Sequence, residues 1–399
     1  MATNAIILLA TAGLSFQAVK NGIFPPPPAD QTTNIKIGAG SNSDNDGNIP
    51  GVHLFDFQGK TIGIQKSSGN IIDKGKDFQI KVAHLELNDN AAAQAEYISV
   101  VTGGKDALCI SYITVALPGS GVQFAYNGDF GYQCGALWTY GNTTLTADPN
   151  GGIYQPRCNW IDGDDSNGLH TKAIGIHLPS VLANQGRVDQ YNKDNDLMCK
   201  ADPRFKLYDT LDVADPIPYF KSQPFDLGTL IDYNRDQTLD PKNWATTPVD
   251  RSTLKGIGSE RRDTADRGGN QTLSQHSKSI PNGNNNTNSI GASTFNGTRV
   301  APPQHERHRG QLVKSGAQYH SATELCGSAT SYGPDFVSLS ENLYCDMEQK
   351  KTWPLCQTAD QKTCFDNAAN KMRLGPGNNR RDGKGIVLPR KVYNNVEQW

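Results

Sequence analysis

The sequence predicts a mainly β protein in three parts: an antiparallel β-sandwich or jelly-roll-like N-terminal domain, a disordered linker, and a small disulfide-stapled C-terminal module. Three observations carry this expectation. Short runs rich in Val, Ile, Tyr and Phe recur about every ten residues between Asn34 and Tyr126, separated by Gly, Asn, Asp and Ser clusters. Eight cysteines fall four and four on either side of a long cysteine-free gap. The 399 residues include 40 Gly and 22 Pro and are 36% hydrophobic, a loop-rich composition that argues against a wholly helical chain. At roughly 150 residues per domain, a chain of this length holds two or three units.

Taken in order, Ala5 to Val19 is an apolar run shorter than the roughly 20 residues that span a bilayer, and it reads as a secretory signal peptide over residues 1–18, cleaved after Ala18. No basic residue precedes it, and a buried N-terminal strand or helix is the competing reading. Residues 19–33 contain Phe24-Pro25-Pro26-Pro27-Pro28, a polyproline spacer that cannot pair in a sheet. The β domain is placed at 34–245. Its strands are expected at Asn34 to Ile37, Val52 to Phe57, Thr61 to Gln65, Phe78 to Val82, Tyr97 to Val101, Leu108 to Leu117, Gly121 to Tyr126 and Lys172 to Leu178. From Gly128 to about Asp250 the sequence is irregular and is expected to form long loops over the sandwich, held by disulfides that limit the freedom of the unfolded chain.

Residues 246–315 are read as the linker. Only 10 of those 70 residues are large and apolar, too few to offset the entropy of ordering them. The segment carries ten Lys and Arg against five Asp and Glu, so it is either a solvated tether or a contact with anionic surfaces. Arg261-Arg262 is a dibasic pair within it. Residues 316–399 form the second module, which at this size depends on its staples.

The compartment follows from chemistry. Cys109, Cys134, Cys158, Cys199, Cys326, Cys345, Cys356 and Cys364 are even in number and contain no C-x-x-C, which favours disulfides over a zinc knuckle or redox pair. Asn142, Asn270, Asn285 and Asn296 are N-x-[ST] glycosylation acceptors. Together with the leader these point to a secreted, extracellular or cell-wall glycoprotein without a transmembrane anchor. A net charge of -2 removes the basic field that nucleic-acid binding needs.

Two stretches carry a resemblance: Gly128-Asp129-Phe130-Gly131-Tyr132-Gln133-Cys134-Gly135-Ala136-Leu137-Trp138, and Gly333-Pro334-Asp335-Phe336-Val337 followed by Tyr344-Cys345-Asp346-Met347. In these words the chain resembles uncharacterised secreted cysteine-containing proteins of filamentous ascomycete fungi. The likeness covers both cysteine units but not the linker. It implies a fungal extracellular origin and brings no catalytic residue with it.

For a binding site, the densest feature is aromatic. Phe124, Tyr126, Phe130, Tyr132, Trp138, Tyr140, Tyr154 and Trp160 lie within 37 residues, beside Asn127, Asp129, Asn159, Asp162, Asp164 and Asp165. Exposed rings stack on sugar faces while Asp and Asn bond the hydroxyls. Packing of the rings around Cys134 and Cys158 is the preferred reading of the set, with Trp138, Tyr140 and Trp160 kept as exposed candidates and Asp162 and Asp164 as their polar partners. A calcium loop is suggested by Asp232, Asn234, Asp236 and Asp240, spaced D-x-N-x-D with an acidic ninth position. Gln237 stands where the sharp turn wants Gly and Asn243 where a bidentate Glu is needed, so an Asx-rich turn competes with it. Asp44-Asn45-Asp46-Gly47 and Asp162-Gly163-Asp164-Asp165 are weaker versions.

Catalytic motifs are lacking. There is no G-x-S-x-G, no P-loop and no complete G-x-G-x-x-G, and His305-Glu306-Arg307-His308 is one residue short of the H-E-x-x-H zinc helix. The expected function is therefore a non-catalytic secreted glycoprotein that binds carbohydrate or a cell-wall or host surface. Its partner is a polysaccharide or cell-surface glycan, and calcium is the one cofactor suggested. The alternative is a polysaccharide-acting hydrolase using carboxylates among Asp129, Asp162, Asp164 and Asp165, with His170 or His177 as acid/base.

Overall fold

A computed structural model describes residues 24–26, 28, 31–42, 44–85, 94–119, 122–147, 153–166, 168–182, 190–191, 193–194, 196–221, 239–248, 306–373 and 390–399, and the backbone of 294–295 and 298–299. The expected signal peptide, most of the linker and Arg261-Arg262 lie outside the described residues. The molecule is mainly β, with few helices.

The N-terminal half is built on two antiparallel sheets. One contains β1 (Thr32–Ala39), β4 (Asp77–Ala83), β6 (Leu108–Ala116), β7 (Gln123–Asn127), β8 (Trp138–Tyr140) and β9 (Arg157–Ile161). Its order is β8-β9-β6-β1-β4, with β7 also on β6. The other has the order β11-β10-β5-β2-β3, formed by β2 (Gly51–Phe55), β3 (Thr61–Gln65), β5 (Tyr97–Val101), β10 (Ala173–His177) and β11 (Phe205–Tyr208). Every strand expected from sequence is present, within a few residues of its expected ends. Ile35, Ile37, Ile80, Val82, Ile110 and Val115 of the first sheet share one buried cluster with Val52, Leu54, Ile98, Val100, Ile174 and Ile176 of the second. Side chains alternate along a strand, and edge strand β4 shows the consequence, with Ile80 and Val82 buried while Lys81 and Ala83 face solvent. Central β6 is buried along its whole length.

The stretch expected to be irregular has more structure than its composition suggests. Asn127 caps a one-turn helix, α1 (Gly128–Gln133), its Oδ1 accepting from the Asp129 N–H at 2.9 Å. Strands β8 and β9 follow, paired from Trp138 opposite Asn159 to Tyr140 opposite Arg157.

The second module begins earlier than expected. Residues 306–315, assigned from sequence to the linker, form a 3-10 turn (Glu306–His308) and β12 (Gln311–Ser315). This strand lies between β13 and β18 in a five-stranded sheet of order β15-β14-β13-β12-β18, with β13 (Asp335–Ser338), β14 (Leu343–Asp346), β15 (Lys351–Pro354) and β18 (Asn395–Gln398). A hairpin of β16 (Cys364–Asp366) and β17 (Lys371–Arg373) lies beside it. The physical reason for the missed boundary is local: Leu312 and Val313 are adjacent apolar residues that each fill a different core on opposite faces of one strand. A 70-residue average dilutes that signal.

All eight cysteines are paired: Cys109–Cys158, Cys134–Cys199, Cys326–Cys345 and Cys356–Cys364. Each bridge stays within its own half, as the four-and-four distribution suggests. The halves nevertheless interlock, because Trp138 and Tyr140 of β8 belong to the same cluster as Val313, Leu325, Cys326 and Phe336. Backbone bonds seal the contact, from Trp138 N–H to Thr330 O at 3.0 Å and from Tyr332 N–H to Trp138 O at 2.7 Å.

Candidate functional site

The seam between the halves buries the rings expected to be exposed. Trp138, Tyr140 and Trp160 are 0%, 2% and 1% exposed, which corrects that expectation. The reason is that their polar edges find partners in the second half. The Trp138 indole donates to Ser328 Oγ at 3.1 Å, the Trp160 indole to Tyr332 O at 3.0 Å, and the Tyr140 hydroxyl to Glu324 Oε2 at 2.7 Å. A ring covered on both faces offers nothing for a sugar to stack on. Asp162 is also buried, and its backbone N–H bonds Thr171 O.

Arg157 is the centre of this seam. It lies between Asp129 and Glu324, bonding Asp129 Oδ1 through Nη1 and Glu324 Oε1 through Nη2, the latter at 2.6 Å. Its guanidinium is 4.1 Å from the centroid of Tyr132, 5.0 Å from that of Trp138 and 5.5 Å from that of Tyr140. Tyr154 donates to the other Asp129 oxygen at 2.6 Å. Glu324 sits in the first turn of α2 (Ala322–Gly327), whose cap Ser321 accepts from the Glu324 N–H and leaves the carboxylate free to cross the seam. Burial alone would raise the Glu324 carboxyl, but the adjacent Arg157 charge and the bonds from Tyr140 and Tyr132 hold it below its usual range. This cluster binds the two halves together.

An accessible feature among the described residues is a cleft at the other end of the seam, of about 510 Å3 and open to solvent, lined by Asp44, Asp46, Lys105, Asp106, Ser166 and Arg307. Four segments make it. The turn carrying Asp44 and Asp46 is held by buried Asn45, whose Nδ2 donates to Asn42 Oδ1 at 3.0 Å. Asn48 Oδ1 accepts from the Asp106 N–H at 3.0 Å and fixes the Lys105-Asp106 loop. The loop bearing Asp164 packs backbone to backbone on that one; a Cβ on Gly163 would lie 2.0 Å from Gly104 O. The fourth segment is Arg307, which reaches across from the second half to Asp106 Oδ1 at 3.1 Å, Asp44 O at 2.7 Å and Asp46 O at 3.2 Å. Beneath it, the guanidinium is 5.5 Å from the centroid of buried Trp160.

The carboxyls of this cleft are driven apart. Burial would raise Asp44, yet bonds from His308 and Gln311 and the Arg307 charge bring it below its ordinary value. Asp46 is raised, first by burial and then by the negative charge of Asp106. His308, fully buried behind Asp44, is lowered by its burial.

Of the remaining expected residues, exposed Asp164 stands beside the cleft, its Oδ1 accepting from the N–H of lining residue Ser166 at 3.0 Å. Hydrogen bonding from the Ser166 hydroxyl, with the N–H adding to it, holds its carboxyl low. Asp240 caps the turn Pro241–Asn243 by accepting from the Lys242 N–H at 3.0 Å, while Asp232, Asn234 and Asp236 lie outside the described residues. Among the described residues, no group of three His, Cys, Asp or Glu is placed to hold a metal ion. Asn142 is half-buried, with its Oδ1 engaged by Gln155; Asn270, Asn285 and Asn296 are outside the described residues. Asp44 and Asp46 are visible in the sequence as a hydrated turn. Lys105, Asp106, Arg157, Arg307 and Glu324 carry no local signal, since each acts through a partner more than 20 residues away or from a separate loop. No helix among the described residues is long and apolar enough to cross a membrane. No protein-family model and no curated protein matches the sequence of this chain.

Proposed function

We propose that the protein is a secreted, non-catalytic glycoprotein that binds a hydroxyl-rich ligand of carbohydrate type at a cell-wall or host surface, through the cleft at the seam. The observation that carries this is the lining itself. Carboxylates, a hydroxyl and two cations stand side by side in an open cavity of about 510 Å3, a set of alternating donors and acceptors suited to vicinal hydroxyls. Four disulfides are consistent with an extracellular setting, and the resemblance to fungal secreted proteins agrees with it. The two sheets on one core are in keeping with a jelly-roll type of β domain.

A hydrolase is the second reading, favoured by one observation. Asp44 is lowered while Asp46 is raised within the same cleft, and carboxyls separated in this way can divide the roles of acid and base. Co-sedimentation of the secreted protein with chitin, β-glucan and cellulose, with the supernatant assayed for released sugar, separates the two. Retention that falls at least tenfold in Lys105→Ala, with no sugar released, is the expected result. Release of reducing ends that is lost in Asp46→Asn moves the hydrolase to first place. EDTA-sensitive retention brings in calcium at Asp232, Asn234, Asp236 and Asp240. With neither retention nor release, both carbohydrate readings fail.

A further inference from the structure

The C-terminal sheet holds a second polar cluster, away from the cleft. Asp335 begins β13 and Asp346 ends β14, and because Phe336 pairs with Cys345 the two aspartates stand next to each other at one end of the sheet. Both are buried, at 1% and 0% exposed. Lys391 enters the same place from the segment before β18. Its Nζ lies 3.0 Å and 2.9 Å from the two oxygens of Asp335 and 2.6 Å from Asp346 Oδ1, with Glu348 farther off at 3.6 Å.

Both oxygens of Asp335 are held by donors. Oδ2 accepts from the phenols of Tyr393 at 2.7 Å and Tyr344 at 3.2 Å, and Oδ1 accepts from the Met347 N–H at 2.8 Å. Donors fixed on a carbonyl oxygen stabilise the negative charge that develops there when a nucleophile adds. Phe365 stacks on Tyr344 at 4.1 Å and closes that side against water. Asp346 accepts from the Glu348 and Gln349 N–H groups through Oδ1, while its Oδ2 is buried without a hydrogen-bond partner among the described residues.

From this geometry we infer that Lys391 and Asp335 are joined by an amide bond formed by the protein itself, with Asp346 as the proton acceptor. The Lys391 ammonium passes one proton to Asp346 across 2.6 Å. The neutral amine attacks Cγ of the protonated Asp335 carboxyl, and the charge that builds on Oδ2 is held by Tyr344 and Tyr393. The C–N bond forms, the bond from Cγ to Oδ1 breaks, and Oδ1 leaves as water with its own proton and one from the amine. Asp346 keeps the proton it received, and no oxidant or co-reactant is needed. Two features prepare the step. Burial raises the Asp335 carboxyl, favouring the acid form whose hydroxyl can leave. Burial also opposes the Lys391 charge, although the two aspartates outweigh it and keep the resting amine protonated, so Asp346 is the group on which reaction depends. Holding amine and carboxyl in contact replaces an encounter between separate molecules, which is worth about 7–11 kcal/mol of barrier when alignment is good.

The bond would close the chain across 56 residues and tie the segment leading into β18 to the middle of the sheet. It adds a covalent lock to a module whose two disulfides span only short stretches.

Tryptic peptide mass spectrometry of the reduced, deglycosylated full chain tests the inference. The expected result is a branched peptide joining residue 391 to residue 335, one water lighter than its two parts, with the linear Lys391 peptide reduced at least tenfold. Lys391→Arg and Asp346→Ala should both yield linear peptides. Asp335→Asn should still cross-link, losing ammonia instead of water and giving a product of the same mass. Linear Lys391 and Asp335 peptides from wild-type protein with native near-UV dichroism would overturn the inference, as would a link placed on Asp346.

Discussion

Acid should destabilise this protein well before its carboxylates titrate. His53 and His320 are both 0% exposed, and burial pushes each imidazole down to about 3; Arg157 adds to the effect at His320, and backbone bonds oppose it at His53. Each ring keeps one short contact, His53 Nε2 with Thr61 Oγ1 and His320 Nδ1 with Ser315 Oγ, both at 2.8 Å. An unfolded histidine titrates near 6.5, so between about 6.5 and 3 the unfolded chain binds protons that the fold refuses. The stability these groups allow is complete above about 6.5 and falls as the pH drops toward 3. At pH 5 the cost is about 1.5 pH units at ~1.36 kcal/mol each, or about 2 kcal/mol per histidine and about 4 for the pair. Buried His308 shifts in the same direction and adds to the loss, whereas raised Asp335 takes up a proton in the fold and acts against it. Against a typical stability of about 5–15 kcal/mol, this is a large fraction. Urea unfolding at pH 7.5, 6 and 5 reads it as a falling midpoint, and the double variant His53→Gln, His320→Gln should lose most of the slope. An unchanged wild-type midpoint across that range, or an equal slope in the double variant, would refute the reasoning.

Three other outcomes follow from the same physical account. Arg157→Met leaves the Asp129 carboxylate buried without its cation and should cost about 3–5 kcal/mol in thermal or urea unfolding; Arg157→Lys should recover only part, because a single ammonium cannot fork between Asp129 and Glu324. The Cys134–Cys199 bridge spans 65 residues and Cys326–Cys345 spans 19, so replacing each pair with serine should cost about 4 and about 3 kcal/mol respectively, measured by urea unfolding. Burial pushes Lys350 down to about 7, with its Nζ donating to Ser331 O at 2.6 Å. A lysine near 10.4 when unfolded then holds its proton better than the fold does between about 7 and 10.4, so its contribution to stability rises with pH across that window. Comparing Lys350→Met with wild type at pH 7 and 9 should show the variant gaining most at pH 7.

How much of this was legible depended on whether the information was local. The ten-residue cadence of Val, Ile and Tyr runs located the strands of the N-terminal sheets because alternation and turn chemistry are written within each segment. The even cysteine count and its four-and-four split pointed to staples within each half, but not to which cysteine pairs with which, because Cys109–Cys158 and Cys134–Cys199 join residues 49 and 65 apart. What local sequence could not reveal was that Leu312 and Val313 each fill a separate core, or that Arg307 reaches Asp106 and the Asp44 turn. Both depend on partners distant in sequence, from Val337 for Leu312 to Asp44 for Arg307, whose positions only the fold decides. The turn at Asp44 to Gly47 was readable as a hydrated loop, but its role in a cleft required the second half to stand opposite.

The aromatic run illustrates why residue type alone settled so little. Large rings beside aspartates suit a sugar platform, and they suit an internal interface equally well, because both uses need broad apolar faces with a polar edge that can bond. What separates them is whether complementary groups arrive to satisfy those edges. Here Ser328, Glu324 and the Tyr332 carbonyl do so for Trp138, Tyr140 and Trp160. With the rings covered, the open cleft at the margin of the same seam is lined by charged and hydroxyl side chains. Arg307 then serves two ends: it bonds the two halves together and it lines the cleft. The cleft is thus completed by the docking of the halves, with Arg307 of the second laid across the loops of the first.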